Sequence, residues 1–163
     1  MKYLKRMSAG LLVAALMAAG CYKPSDTKPV VADTKGAQSG GAAAEHTHGT
    51  GPNGGVVFDL GSHHAEFTVD HGQRECTIVI LGDDEKTPTA VAATEFILNI
   101  KETKTKEGKL VSPMTITMLP ANAIGGNAST FVGTDPGIGN VADFAGTVSG
   151  EIDGKPAQGE FKE

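Results

Sequence analysis

Hydrophobic positions fall into two regimes along the chain. Residues 11–19 form one unbroken apolar run, whereas from about residue 54 apolar and polar residues alternate with a period of two. Val56, Phe58 and Leu60 alternate with Val57 and Asp59, and Ala65, Phe67 and Val69 alternate with His64, Glu66, Thr68 and Asp70. Successive side chains of a strand point to opposite faces, so this alternation predicts half-buried strands. Residues 76–81 are apolar on both faces and predict a central strand. Residues 95–101, 114–119, 129–132 and 144–152 alternate again, and Asp153-Gly154-Lys155 predicts a hairpin leading into a strand at 158–161. Residues 90–94 allow a short helical turn, and 135–140 form a Gly-rich loop. No stretch after the first apolar run has a 3.6-residue period, and no internal repeat is visible. The expected fold is all-β: an antiparallel immunoglobulin-like β-sandwich of seven to eight strands spanning residues 46–163.

The N-terminal run is too short to span a bilayer and follows the cations Lys2, Lys5 and Arg6, the layout of an export signal over residues 1–20. It ends in Ala18-Ala19-Gly20-Cys21, which resembles the bacterial lipobox, with Ala in place of the usual aliphatic residue three positions before the Cys. The resemblance implies a diacylglycerol thioether at Cys21 and cleavage before it. Residues 21–45, rich in Lys, Pro, Ser, Thr, Gly and Ala, then form a flexible tether. Tyr22, rather than Asp, after the lipidated Cys resembles outer-membrane sorting. The expected location is therefore the cell envelope, anchored by lipid and facing the periplasm. Lipidation leaves Cys76 without a disulfide partner, and its apolar strand predicts a buried, inert thiol, with soft-metal ligation as the alternative.

Composition narrows the functions. Aromatic residues make up 5% and Trp is absent, which disfavours a base-stacking nucleic-acid platform. The formal charge of −5 becomes −8 once Lys2, Lys5 and Arg6 leave with the signal, a field that suits cations better than polyanions. The chain carries no paired nucleophile and base, no H-E-x-x-H, no C-x-x-C and no phosphate-cradling loop, so a non-enzymatic role is expected. The acidic residues Asp83, Asp84 and Glu85 lack the spacing of a calcium loop and predict a solvated turn.

All five His of the chain, His46, His48, His63, His64 and His71, fall between residues 46 and 71. Neutral imidazole is the commonest protein ligand for late transition metals, so the clustering points to a divalent ion, copper or zinc. His46 and His48 form an H-x-H pair able to pinch one ion. His64 and Glu66, two apart on one strand face, sit about 6–7 Å apart, close enough to share an ion or to hydrogen-bond as a structural pair. His63 points inward or lies in the Gly61-Ser62 turn, and His71 is expected to be solvated. The candidate donors are His46, His48, His63, His64 and Glu66, and binding through neutral imidazoles should weaken below about pH 6.

Residues 46–67 resemble a module of small bacterial lipoproteins that also heads periplasmic adaptor subunits of heavy-metal efflux pumps. The module runs His-x-His-Gly, Gly-Pro-His-Gly-Gly, an aliphatic strand, then His-Ala-Glu. The chain keeps His46-Thr47-His48-Gly49, Gly51-Pro52, Gly54-Gly55 and His64-Ala65-Glu66, but Asn53 stands where the module has a third His. The resemblance extends to about residue 82 and to the closing hairpin at 148–161, and implies a metal-handling context. Two functions are therefore expected in competition: a lipid-anchored protein that binds a transition metal, as an accessory to efflux or homeostasis, and a non-catalytic structural or interaction module contacting an envelope partner.

Overall fold

The computed structural model describes residues 48–163. The signal, Cys21, the tether and His46 lie outside the described residues. Twelve strands follow one another: β1 (Val56–Leu60), β2 (His63–Asp70), β3 (Glu75–Leu81), β4 (Val91–Ala92), β5 (Phe96–Ile100), β6 (Thr103–Lys104), β7 (Leu110–Val111), β8 (Met114–Ala121), β9 (Asn127–Ala128), β10 (Thr130–Thr134), β11 (Ala145–Ile152) and β12 (Lys155–Lys162). The fold is antiparallel and all-β, as the alternation predicts. The eight longer strands hydrogen-bond in the order β1-β2-β3-β10-β8-β5-β11-β12, and β4-β9 and β6-β7 form two small ribbons.

The eight strands wrap one core. β8 changes partner along its length, with Met114–Met118 facing β5 and Leu119–Ala121 facing β10, so it joins the two halves of the sheet. The far edges meet where Gly61 N donates to the Gln158 carbonyl at 3.2 Å. Gly159 in β12 allows that approach, because a Cβ there would overlap the Asp59 carbonyl of β1. The inward positions are apolar throughout: Phe67 stacks on Phe161 at 4.2 Å and Phe96 meets Phe131 edge-on at 4.6 Å. Residues 76–81 are apolar on both faces because Cys76, Ile78 and Ile80 enter the main core while Val79 and Leu81 pack with Val57 on the other side of the sheet. Cys76 is buried there against Met118 Sδ (3.6 Å) and the Gly133 carbonyl (3.5 Å), and burial pushes its thiol up to about 12.

Asp153 and Gly154, at φ 52° and 74°, make the two-residue turn between β11 and β12 where the sequence predicts it. Residues 91–92 form a strand, not the helical turn the sequence allows, because Val91 pairs with Ala128 of β9. Within the 135–140 loop, Pro136–Gly139 makes a 3-10 turn capped by the Asp135 carboxylate, which accepts from Gly137 N at 2.7 Å. His71 is tied down rather than solvated: its Nδ1 lies 2.7 Å from the Ile138 carbonyl of that turn.

Candidate metal centre

The β1–β2 hairpin sets the first two residues of the site. Gly61 takes φ +64° and, with Ser62, makes a two-residue turn that pairs Leu60 with His63 and Asp59 with His64. Directly opposed residues on one face stand about 4.5–5.5 Å apart at Cβ, so Asp59 and His64 are neighbours by register alone. The next strand brings Leu81 beside His64, and the chain then turns through Gly82. Glu85 N donates to the Gly82 carbonyl at 3.0 Å, and Glu85 takes a left-handed φ of 56°, which curls its carboxylate back over the hairpin. His48 arrives from the segment before β1, which folds over the outer face of the sheet.

Four side chains therefore converge. His48 Nε2 lies 3.4 Å from Asp59 Oδ2, and His64 Nε2 lies 3.4 Å from Asp59 Oδ1. Glu85 Oε1 stands 3.2 Å from His48 Nδ1 and 3.6 Å from His64 Nε2. One donor atom each from His48, Asp59 and His64 fits within 4.8 Å of the others. The imidazoles are sheltered at 11% and 22% side-chain exposure, whereas Asp59 (38%) and Glu85 (36%) open the site to solvent. An ion can thus enter past the carboxylates.

The hydrogen bonds fix what the rings can do. His64 Nδ1 faces the Gly82 carbonyl at 3.2 Å, and a carbonyl only accepts, so Nδ1 carries the proton. A neutral His64 then directs its Nε2 lone pair at the carboxylates of Asp59 and Glu85. His48 lies between two carboxylates, its Nδ1 3.2 Å from Glu85 Oε1 and its Nε2 3.4 Å from Asp59 Oδ2, so either neutral tautomer leaves one lone pair facing a carboxylate. Lone pairs on nitrogen and oxygen repel at such distances unless a positive charge lies between them. Either protons on both rings or a cation satisfies the arrangement. Around a tetrahedral zinc with ligands near 2.0–2.1 Å, donor atoms sit ~3.3 Å apart. The two 3.4 Å His–Asp distances run to different Asp59 oxygens, and one atom from each residue spans up to 4.8 Å, so the side chains would draw together around an ion. The three side chains could hold a metal ion.

The sequence-derived donors separate in the fold. His48 and His64 meet in the site. Glu66 shares their sheet face but does not join them, because its carboxylate is fully buried and taken up by other donors. Asn53 N and Gly55 N both donate to Oε1 at 2.8 Å, and Asn53 Nδ2 donates to Oε2 at 2.7 Å. His63 is one residue out of phase, so it leaves by the other face and instead neighbours Ser62 Oγ at 3.3 Å. Asp59 and Glu85 are the residues that alternation and His clustering pass over. Asp59 was legible through the Gly61-Ser62 turn, which fixes it opposite His64; the backward curl of Glu85 has no such signal. Comparison with known proteins finds no matching family model, no matching curated protein and no matching solved structure.

Proposed function

We propose that this protein is a lipid-anchored protein of the bacterial envelope that binds a divalent transition ion, copper or zinc, through His48, Asp59 and His64. The observation that carries the reading is the convergence of both Nε2 atoms on the Asp59 carboxylate, with His64 Nδ1 pinned by the Gly82 carbonyl and His48 Nδ1 beside Glu85. An imidazole whose second nitrogen donates to a carbonyl or carboxylate is the usual supporting arrangement of a metal-bound His. The donors are nitrogen and oxygen only, which suits a borderline divalent ion better than a soft monovalent one. Three donors leave coordination positions open, which fits delivery, buffering or sensing in metal homeostasis, as an efflux accessory would require. Isothermal titration of the protein with Zn(II) and Cu(II) at neutral pH tests this. Micromolar or tighter binding, about −8 kcal/mol, supports it; millimolar binding, about −4 kcal/mol, is no better than scattered imidazoles provide.

The same contacts favour a second reading. Two imidazolium rings against two carboxylates form a charge-balanced quartet, which would serve a structural or interaction module of the envelope without any ion. The titration separates the two, since the quartet alone gains nothing from added metal.

A further inference from the structure

We infer that Glu66 is the positioning residue of the metal site: it docks the segment of residues 48–55 on the sheet, so that docking of this clasp and binding of a divalent ion are one coupled equilibrium. The inference rests on the metal-binding reading. Glu66 is a wholly buried carboxylate in the middle of β2, flanked across the sheet by Val57 and Val79 on a face that would otherwise be solvated. A buried charge is tolerated only when its oxygens are saturated with donors. Among the described residues, the three donors that reach it, Asn53 N, Asn53 Nδ2 and Gly55 N, belong to the segment that carries His48.

The clasp is shaped for this contact. Gly51 N donates to the Gly55 carbonyl and Gly54 N to the Gly51 carbonyl, both at 3.0 Å, closing a small loop over the carboxylate. A Cβ on Gly51 would strike the Glu66 side chain, and one on Gly55 would strike the Phe67 carbonyl. Asn53 therefore spends its side chain on Glu66. The N-terminal end of the docked clasp is His48, and docking is what delivers it to Asp59 and His64. Without Glu66 the sheet keeps Asp59 and His64, but one of three donors is free to leave. Conversely, an ion shared between His48 and His64 must hold the clasp down, because coupling between two sites is reciprocal.

Zn(II) titration of the full chain in detergent, with a double-mutant cycle, tests this. Glu66→Gln and His48→Ala should each weaken Zn(II) binding by about 10- to 100-fold, and the double variant should bind no more weakly than His48→Ala alone. Zn(II) should also slow amide exchange of residues 49–55 in the parent protein. Asn53→Ala, which leaves the sheet untouched, should weaken binding in the same direction and serves if Glu66→Gln does not fold. Unchanged binding in Glu66→Gln or Asn53→Ala alongside loss in His48→Ala overturns the coupling while leaving the metal site standing. Additive losses in the double variant overturn it too. Failure of the parent protein to bind Zn(II) removes both this inference and the reading beneath it.

Discussion

The rings of His48 and His64 meet edge to face, with centroids 5.4 Å apart and planes inclined by 69°. Neither strand pairing nor sequence proximity brings them together, since His48 precedes β1 and His64 belongs to β2. Asp59, opposite His64 by register, contacts both rings, as Glu85 does from the other side of the turn at Gly82. Asp59→Asn keeps the side-chain shape and removes the charge. It should weaken Zn(II) binding by about 100-fold or more, measured by competition with a chromogenic chelator.

Glu85 Oε1 stands 3.2 Å from His48 Nδ1, so under the proposed metal binding it would act on the ion through that ring. Glu85→Gln keeps an acceptor beside Nδ1 but loses the charge that orients the ring. The expected loss in Zn(II) affinity is about 10-fold, smaller than for Asp59→Asn. A loss as large as that of Asp59→Asn, in the same chelator competition, would make Glu85 a ligand in its own right.

Closure of the sheet and placement of Asp59 share one glycine. Gly159→Ala forces its new methyl into the Asp59 carbonyl, so β1 and β12 must part. Urea unfolding should show a loss of about 1–3 kcal/mol, the usual range for overpacking, together with weaker Zn(II) binding. Gly154→Ala, at φ +74° in the distant β11–β12 turn, should lower stability by about 1 kcal/mol and leave Zn(II) affinity unchanged.

Cys76 should be silent in the native protein. Burial lifts its thiol to about 12, so almost none is thiolate at neutral pH. Alkylation by iodoacetamide at pH 8, followed by mass spectrometry, should label Cys76 only after unfolding. Labelling at native conditions would place the thiol at the surface.

Acid stability should carry a signature of Asp84. Its carboxylate is held down to about 2 chiefly by the Thr87 hydroxyl at 2.5 Å, helped by the Thr87 and Lys86 amides. A folded-state value below the ordinary 3.8 means the contribution is present above that pH and disappears as pH falls through about 2. Thermal unfolding of Asp84→Asn should therefore fall below the parent protein from pH 4 upward, with the gap closing toward pH 2.

The eight longer strands were legible because their alternation is strong, whereas the two-residue strands β4, β6, β7 and β9 are too short to show a period. The burial of Cys76 in an apolar run was legible as well. The Asp153-Gly154 turn was legible from its two residue types alone. The site was legible in part. Clustering singled out His48 and His64, but spacing on one strand also suggested Glu66, whose shared face says nothing about which donors will claim its oxygens. Those donors sit on the Gly51–Gly55 loop, whose fold-back onto β2 is a tertiary event without periodicity. Asp59 lay within reach of sequence reasoning, since a two-residue turn fixes the partner of every residue in a hairpin. Glu85 did not, because its orientation depends on a left-handed backbone in an acidic turn that looks merely solvated.

Crystals of the protein grown with Zn(II), with data collected on both sides of the zinc absorption edge, offer the most direct test of the site. The expected result is an anomalous peak about 2.0–2.2 Å from His48 Nε2, His64 Nε2 and an Asp59 oxygen, with Glu85 still on His48 Nδ1. Side chains arranged as here with no peak among them, at saturating zinc, would contradict metal binding and leave a proton-bridged quartet in its place.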